Sequence, residues 1–269
     1  AKSVSEAEII KMEYANMGET GIMFKLQEGE KESLLKPSVD KKQLRSQPYR
    51  AEVQKAVAKL QKIISPDTAV TVEVLGKGEL RVAKQEKITL GENRDVLHDW
   101  INNRGELDPN KKRQLLQEYV VDFLVCNFDC FVGNFIVDSN DNVRGVDKEQ
   151  AFRFIDDIET LDPSFSYVPN GPSRIPIYQY LFERYQTGEI DLDFSVIDKT
   201  LAILEEMTDI EYEAIFRSYA ESLNKEHPEI ILEKIVQRKH ICIEQIKEYI
   251  ARIRRENPIK EGDNNYGKK

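Results

Sequence analysis

The sequence predicts an α+β protein of two lobes: a small β-rich lobe with one helix, then a larger and mainly helical one. Three observations lead there. Apolar and β-branched segments separated by glycine turns concentrate before residue 90. One helical period, Tyr49 to Ile64, interrupts them. Beyond residue 90 apolar residues recur at helical spacing, apart from two short strands near 135–146. The expected lobes are residues 1–88 and 89–269.

In chain order, Ile9-Ile10-Lys11-Met12 is a first apolar segment, broken by Gly18-Glu19-Thr20-Gly21. Ile22–Leu26 restores β character, and Gln27–Lys31 reads as a turn because glycine and charge punctuate it. Ser33–Lys36 is a further strand, cut off by Pro37, which cannot continue a ladder. Residues 37–48 read as a polar loop. From Tyr49 to Ile64, Val53, Ala56, Val57, Leu60, Ile63 and Ile64 fall on one helical face, and Ser65-Pro66-Asp67 stops the helix. Ala69–Leu75 and Glu79–Ala83 pair as a hairpin around Gly76-Lys77-Gly78.

Residues 111–125 form an amphipathic helix striped by Leu115, Leu116, Tyr119, Val120, Phe123 and Leu124. Phe135–Val137 and Val143–Val146 are short strands around the turn Asp138–Asn142. From 194 onward the chain is mostly helix, and 229–255 carries Ile231, Ile235, Cys242, Ile246, Tyr249 and Ile253 at helical spacing. The tail 257–269 is expected to fray.

Composition removes several function classes. The 269 residues are 40% apolar and 32% charged, a globular composition able to bury a large core. Lys and Arg number 39 against 48 Asp and Glu, a formal charge of −9, which makes nucleic acid an unsuitable partner. No run of 18 apolar residues exists, so no membrane span is expected, and the first residues hold no apolar signal core. Cys126, Cys130 and Cys242 are an odd, sparse set, which argues for a reducing, cytoplasmic compartment. Secretion into a host cell stays open as the alternative. The spacing Cys126-x3-Cys130 has no second Cys/His pair, which argues against zinc. GxGxxG, the Walker P-loop, HExxH and GxSxG are absent.

The sharpest feature is Asp129-Cys130-Phe131-Val132-Gly133-Asn134 with Asp147 beyond a hairpin. Phosphoryl transfer needs a carboxylate near the attacking hydroxyl and oxygen ligands that hold Mg2+ against the phosphates. Asp129, Asn134 and Asp147 offer both. Alone, Asp-x4-Asn is weak, since Asp and Asn commonly cap turns. The N-terminal lobe adds weight through order. Gly18-x-x-Gly21 between strands lets backbone amides approach phosphates, though it also suits a plain hairpin turn. Lys36 at a strand end puts an ammonium in reach of phosphates; a solvated lysine is the ordinary alternative. Glu52, in the first turn of the next helix, would orient Lys36 as an ion pair, or simply complement the helix dipole. It is the whole succession that is hard to obtain by accident.

These pieces resemble the atypical kinases of the PI3/PI4-kinase-like group, which includes type II phosphatidylinositol 4-kinases and HipA-type bacterial protein kinases. The resemblance is carried by Gly18–Gly21, Leu35-Lys36-Pro37, Tyr49-Arg50-Ala51-Glu52-Val53, Asp129-x4-Asn134 and Val146-Asp147-x3-Ala151-Phe152, spanning residues 18–152. It implies a bilobal protein-kinase-like fold with ATP between the lobes and Mg2+, or Mn2+ in its place. It further implies that Gly18, Thr20 and Gly21 cover the phosphates, that Lys36 contacts them and that Glu52 supports Lys36. Asp129 would be the catalytic aspartate, and Asn134 and Asp147 the metal ligands. The segment from Lys84 through Gln85, Glu86, Lys87 and Ile88 would be the hinge at adenine.

The favoured acceptor is Ser/Thr on a protein. A phosphoinositide or small-molecule acceptor is the second reading, and a pseudokinase that binds nucleotide or partners the third. Departures from the family pattern motivate the last. The family commonly shows Asp-Arg-x3-Asn, and many lipid kinases Asp-Arg-His-x2-Asn, where Cys130 and Phe131 stand here. Lys148-Glu149-Gln150 lacks the glycine of Asp-Phe-Gly, and no cysteine cluster or basic apolar helix suggests a bilayer anchor. His98, His227 and His240 are scattered and give hydrolase chemistry no support. Cys130 beside Asp129 reads as an inert small residue rather than an oxidisable one. Asp156 and Asp157 read as turn or surface acids rather than metal ligands, and Trp100 as packing.

Overall fold

The structure is a computed structural model that describes residues 11–15, 23–40, 45–78, 81–157, 159–167 and 174–257. Strands β1 (Lys11–Ala15), β2 (Met23–Glu28) and β3 (Lys31–Pro37) run antiparallel in sequence order. The β2–β3 turn is made by Gly29, whose φ of +62° suits a residue without Cβ. The segment expected to be a plain polar loop contains two short paired strands, β4 (Val39–Asp40) and β5 (Arg45–Ser46). Helix α1 spans Tyr49–Ile64 and buries Val53, Val57, Leu60 and Ile64, the face its period predicts.

After α1 come β6 (Val72–Leu75) and β7 (Val82–Glu86), joined through Gly76 and Gly78, both with positive φ. The sheet order is β1-β2-β3-β7-β6, so β7 inserts beside β3 and places Ala83 opposite Lys36. Both strands start later than the sequence suggests. Ala69 and Val70 are buried, but they follow a tight turn closed by Thr68 N–H donating to the Ser65 carbonyl. Apolar character there serves the core rather than a ladder.

Beyond β7 the regular elements among the described residues are mainly helices, with one hairpin. Helix α2 is Val96–Ile101 and α3 is Pro109–Leu124. The Asp108 side chain caps α3 by accepting from the Lys111 amide at 2.8 Å, and Pro109 occupies the first turn, where no N–H is needed. Strands β8 (Phe135–Val137) and β9 (Val143–Gly145) form the hairpin. Then follow α4 (Ile177–Gln186), α5 (Ser195–Glu206), α6 (Asp209–Leu223) and α7 (Pro228–Glu256). A Thr208/Glu211 capping box starts α6. Helix α3 forms the centre: Tyr119 and Phe123 meet Phe165, and Tyr119 also meets Tyr178 and Phe182. One continuous core runs from Val53 of α1 to Ile253 of α7, so α1 ties the sheet to the helices. A small antiparallel sheet thus precedes a larger helical part. Among the described residues no helix is long and apolar enough to cross a membrane.

Candidate active site

The site grows out of the end of α3. Cys126, with φ +51°, breaks the helix, and the Asn127 amide donates to the Asp122 carbonyl at 2.8 Å. The chain then passes through Asp129 into a single 3-10 turn at Val132–Asn134. Asn134 Nδ2 donates to the Asp129 carbonyl at 2.6 Å. The Asn134 carbonyl accepts from the Val146 amide at 2.9 Å. One asparagine therefore ties the loop of Asp129 to the strand that delivers Asp147. That leaves its side-chain oxygen as the remaining donor atom for a cation.

Asp147 sits just beyond β9 with φ +58°, a conformation costing a non-glycine residue about 1–2 kcal/mol. Lys36, from β3, reaches across and places Nζ 3.1 Å from Asp147 Oδ1. The structure thereby brings together four predicted residues: Asp129, Asn134, Asp147 and Lys36. Burial pushes the Asp129 carboxyl above its ordinary value, and the charge of Asp147 adds to this, while Arg174 and Asn134 oppose it. Glu149 is raised in the same way by burial and by Asp147, against Arg50 and Lys36. Arg50 Nη1 lies 3.4 Å from Glu149 Oε1.

The expected Lys36–Glu52 ion pair is not formed. Glu52 Oε1 instead meets Arg81 Nη1 at 3.2 Å, while Glu52 Oε2 is buried and has no hydrogen-bond partner among the described residues. Arg81, directly before β7, reaches the start of α1 and takes the carboxylate. The expected hinge is only partly a connector. Lys84, Gln85 and Glu86 are β7 strand residues, with Gln85 paired to Leu34, and Glu86 Oε1 accepts from the Thr71 amide at 2.6 Å. Lys87 and Ile88 follow the strand, and Lys87 pairs with Glu32. The connection past them is fixed by main-chain bonds from Gly91 to Val137 and from Ser139 to Thr89. Gly18, Thr20 and Gly21 lie outside the described residues.

A buried charge cluster beneath Asp147 escapes the sequence reading. Lys148 Nζ lies 2.9 Å from Glu118 Oε2 and 2.7 Å from Asp122 Oδ1. Glu118 also accepts from Gln61 and Thr68, and Asp122 from Asn127 and Tyr178. Burial would lower the Lys148 ammonium, but the two carboxylates outweigh it and hold its value well above the ordinary one. The available signal was Glu118 and Asp122 at i and i+4, embedded in the apolar stripe of α3. Arg174 was also missed. Its guanidinium lies 4.2 Å over the Phe131 ring.

Among the described residues no three His, Cys, Asp or Glu side chains converge on a metal position. Asp147 and the Asn134 oxygen are hard-oxygen donors. They suit Mg2+, which is usually held by one or two protein oxygens plus substrate phosphates. Cys130 is fully buried, and burial pushes its thiol well above the ordinary value, so the inert reading holds. Asp156 pairs with Lys234 on the surface, and Trp100 is buried beneath Arg184. Neither aspartate of 156–157 is among the groups placed at the site.

Among solved structures the chain resembles the Helicobacter pylori proinflammatory kinase CtkA, with a TM-score of 0.56 and 13% identity over 88% of this chain and 93% of that one. The chain has a kinase-like fold. No protein-family profile matches the sequence, and no curated protein does.

Proposed function

We propose that this chain is an ATP- and Mg2+-dependent kinase of the PI3/PI4-kinase-like group that transfers the γ-phosphate to a hydroxyl, with Ser/Thr of a protein as the acceptor. The observation that carries the reading is the convergence of Asp129, Asn134 and Asp147 on one side with Lys36 on the other. Residues 1–88 would be the nucleotide-binding lobe and 89–269 the lobe of the catalytic loop. The free, buried cysteines fit a reducing cytoplasm.

In this reading Asp129 orients the acceptor hydroxyl and takes its proton. The raised value of its carboxyl favours proton acceptance at that atom. Lys36 exchanges Asp147 for the phosphates when nucleotide enters. Asp147 and Asn134 hold the metal, which when bound neutralises phosphate charge. Catalysis is then mainly positioning and electrostatics. Replacing Asp147 by Ala is expected to reduce Mg·ATP turnover by about 100-fold or more while leaving the fold intact. Turnover equal to wild type would sink the assignment.

The pseudokinase reading is favoured by one observation, the engagement of Glu52 with Arg81 rather than Lys36. It predicts nucleotide-induced thermal stabilisation without label transfer.

A further inference from the structure

Asp147 is held from both flanks. Its φ of +58° is a conformation that persists only where the surroundings over-determine it. On one side the Gly145 carbonyl accepts from Gln61 Nε2, near the end of α1, at 3.1 Å. On the other, Lys148 runs down to Glu118 and Asp122 of α3. Glu149 then turns back to the first turn of α1, where Arg50 Nη1 lies 3.4 Å from its Oε1. The Ala151 amide closes that turn on the Lys148 carbonyl at 3.2 Å, and the Phe152 amide donates to the Val125 carbonyl at 2.6 Å. Both ends of α1 therefore hold the segment that bears Asp147.

We propose that Glu149 and Arg50 are positioning residues whose ion pair sets Asp147 to hold the metal of the nucleotide. This rests on the phosphoryl-transfer reading given above. Outer partners of a metal ligand fix its direction, and losing one weakens metal binding without removing a ligand atom.

Two observations single out this pair. Glu52, the acid expected to tie α1 to Lys36, is occupied by Arg81 at 3.2 Å. Helix α1 therefore reaches the site through Arg50 instead. Lys36 lies 3.1 Å from Asp147, but in the proposed reaction it turns to the phosphates, so it cannot keep Asp147 in place during transfer. The Arg50–Glu149 pair outlasts that exchange. Its side chains are only 22% and 17% exposed, so solvent screens the pair less than a surface one. Besides burial, the charges acting on Glu149 are those of Asp147, Arg50, Lys36 and Asp129, which places its carboxylate against the catalytic group. Arg50 also offsets the like charge that Glu149 brings near Asp147.

The test compares wild type with Arg50→Met, Glu149→Gln, the double variant and Arg50→Lys. ATP affinity is measured by calorimetry with Mg2+ and again with a chelator, with Tm and transfer from γ-labelled ATP alongside. Each single variant should lose about 10-fold in affinity with Mg2+ and nothing in chelator, and transfer should fall by about 10–100-fold. The double variant should lose no more than either single one. Arg50→Lys keeps the charge and should recover part of the loss. Equal loss with and without Mg2+ would overturn the role by making the pair merely structural. Losses that multiply in the double variant, or wild-type affinity in both single ones, would overturn it too. If Arg50→Met does not fold, Glu149→Gln and Arg50→Lys decide the same contrast. A wild type that binds Mg·ATP but transfers nothing would overturn the phosphoryl-transfer reading alone, because the metal-linked affinities still decide the role of the pair. A wild type that binds no nucleotide would overturn both.

Discussion

Lys148→Met is the perturbation whose cost the structure defines best. The side chain is almost wholly enclosed, and the two carboxylates it bridges are both 0% exposed. Removing the one cation from such a group leaves uncompensated buried charge, which costs about 3–5 kcal/mol. Gln61 at 2.9 Å and Thr68 at 2.6 Å remain on Glu118, and Asn127 at 2.7 Å and Tyr178 at 2.6 Å remain on Asp122. Those surviving donors place the loss at the lower end, about 3 kcal/mol. For a chain of this size that lowers Tm by about 6–12 °C. Urea unfolding followed by fluorescence of the single tryptophan, Trp100, measures it directly, because that ring is buried. The double variant Lys148→Met/Glu118→Gln removes one carboxylate as well and should recover part of the loss. A single variant within about 1 kcal/mol of wild type, or a double variant less stable than the single, would refute the reasoning.

Other outcomes follow from the same geometry. Gly145→Ala should lose about 1–3 kcal/mol in urea unfolding, because its Cβ would collide with the Glu118 carboxylate that Lys148, Gln61 and Thr68 hold in place. Burial acts to raise Asp138, but the Arg144 hydrogen bond and the amides of Asn142 and Asn140 outweigh it and hold the group below its ordinary value. A depressed folded value means stability that is present at neutral pH and lost as pH falls below the ordinary value of about 3.9. Asp138→Asn should therefore cost about 1.5–3 kcal/mol at pH 7, with the difference from wild type closing in acid; a pH-independent difference would contradict this. Lys36→Met should weaken Mg·ATP binding by about 10-fold with little change in Tm, since its partner Asp147 is partly exposed. Burial pushes Cys126 up to about 11 and Cys242 up to about 12, so thiol alkylation should be slow in buffer and fast in urea.

Much of the fold was legible because period and punctuation agree. The α1 face at Val53, Val57, Leu60 and Ile64, the Gly76/Gly78 turn and the Asp138 turn all announce themselves locally. The order Asp129, Asn134, Asp147 was legible as spacing, and the structure supplies the bonds through Asn134 that draw the three together. What stayed hidden depends on distant partners. Lys36 sits nearest Asp147, 111 residues away, and Glu52 turns to Arg81. Which cation meets which carboxylate is settled by strand register and helix placement, and no local pattern carries it. Nothing next to Lys148 in the sequence marks it as buried; that follows from Glu118 and Asp122 on the buried side of α3. Arg174 lies 43 positions beyond the ring it stacks on (174 minus 131), brought there by the pairing of Phe131 with Pro176.

The most direct test of the phosphoryl-transfer account uses γ-labelled ATP with Mg2+, comparing wild type with Asp129→Asn, each alone and with a generic basic protein. The account predicts label on protein from wild type and none from Asp129→Asn, with both chains binding ATP. Equal labelling by the two would remove Asp129 from the reaction, and ATP binding without label from either would contradict the claim that this site performs transfer.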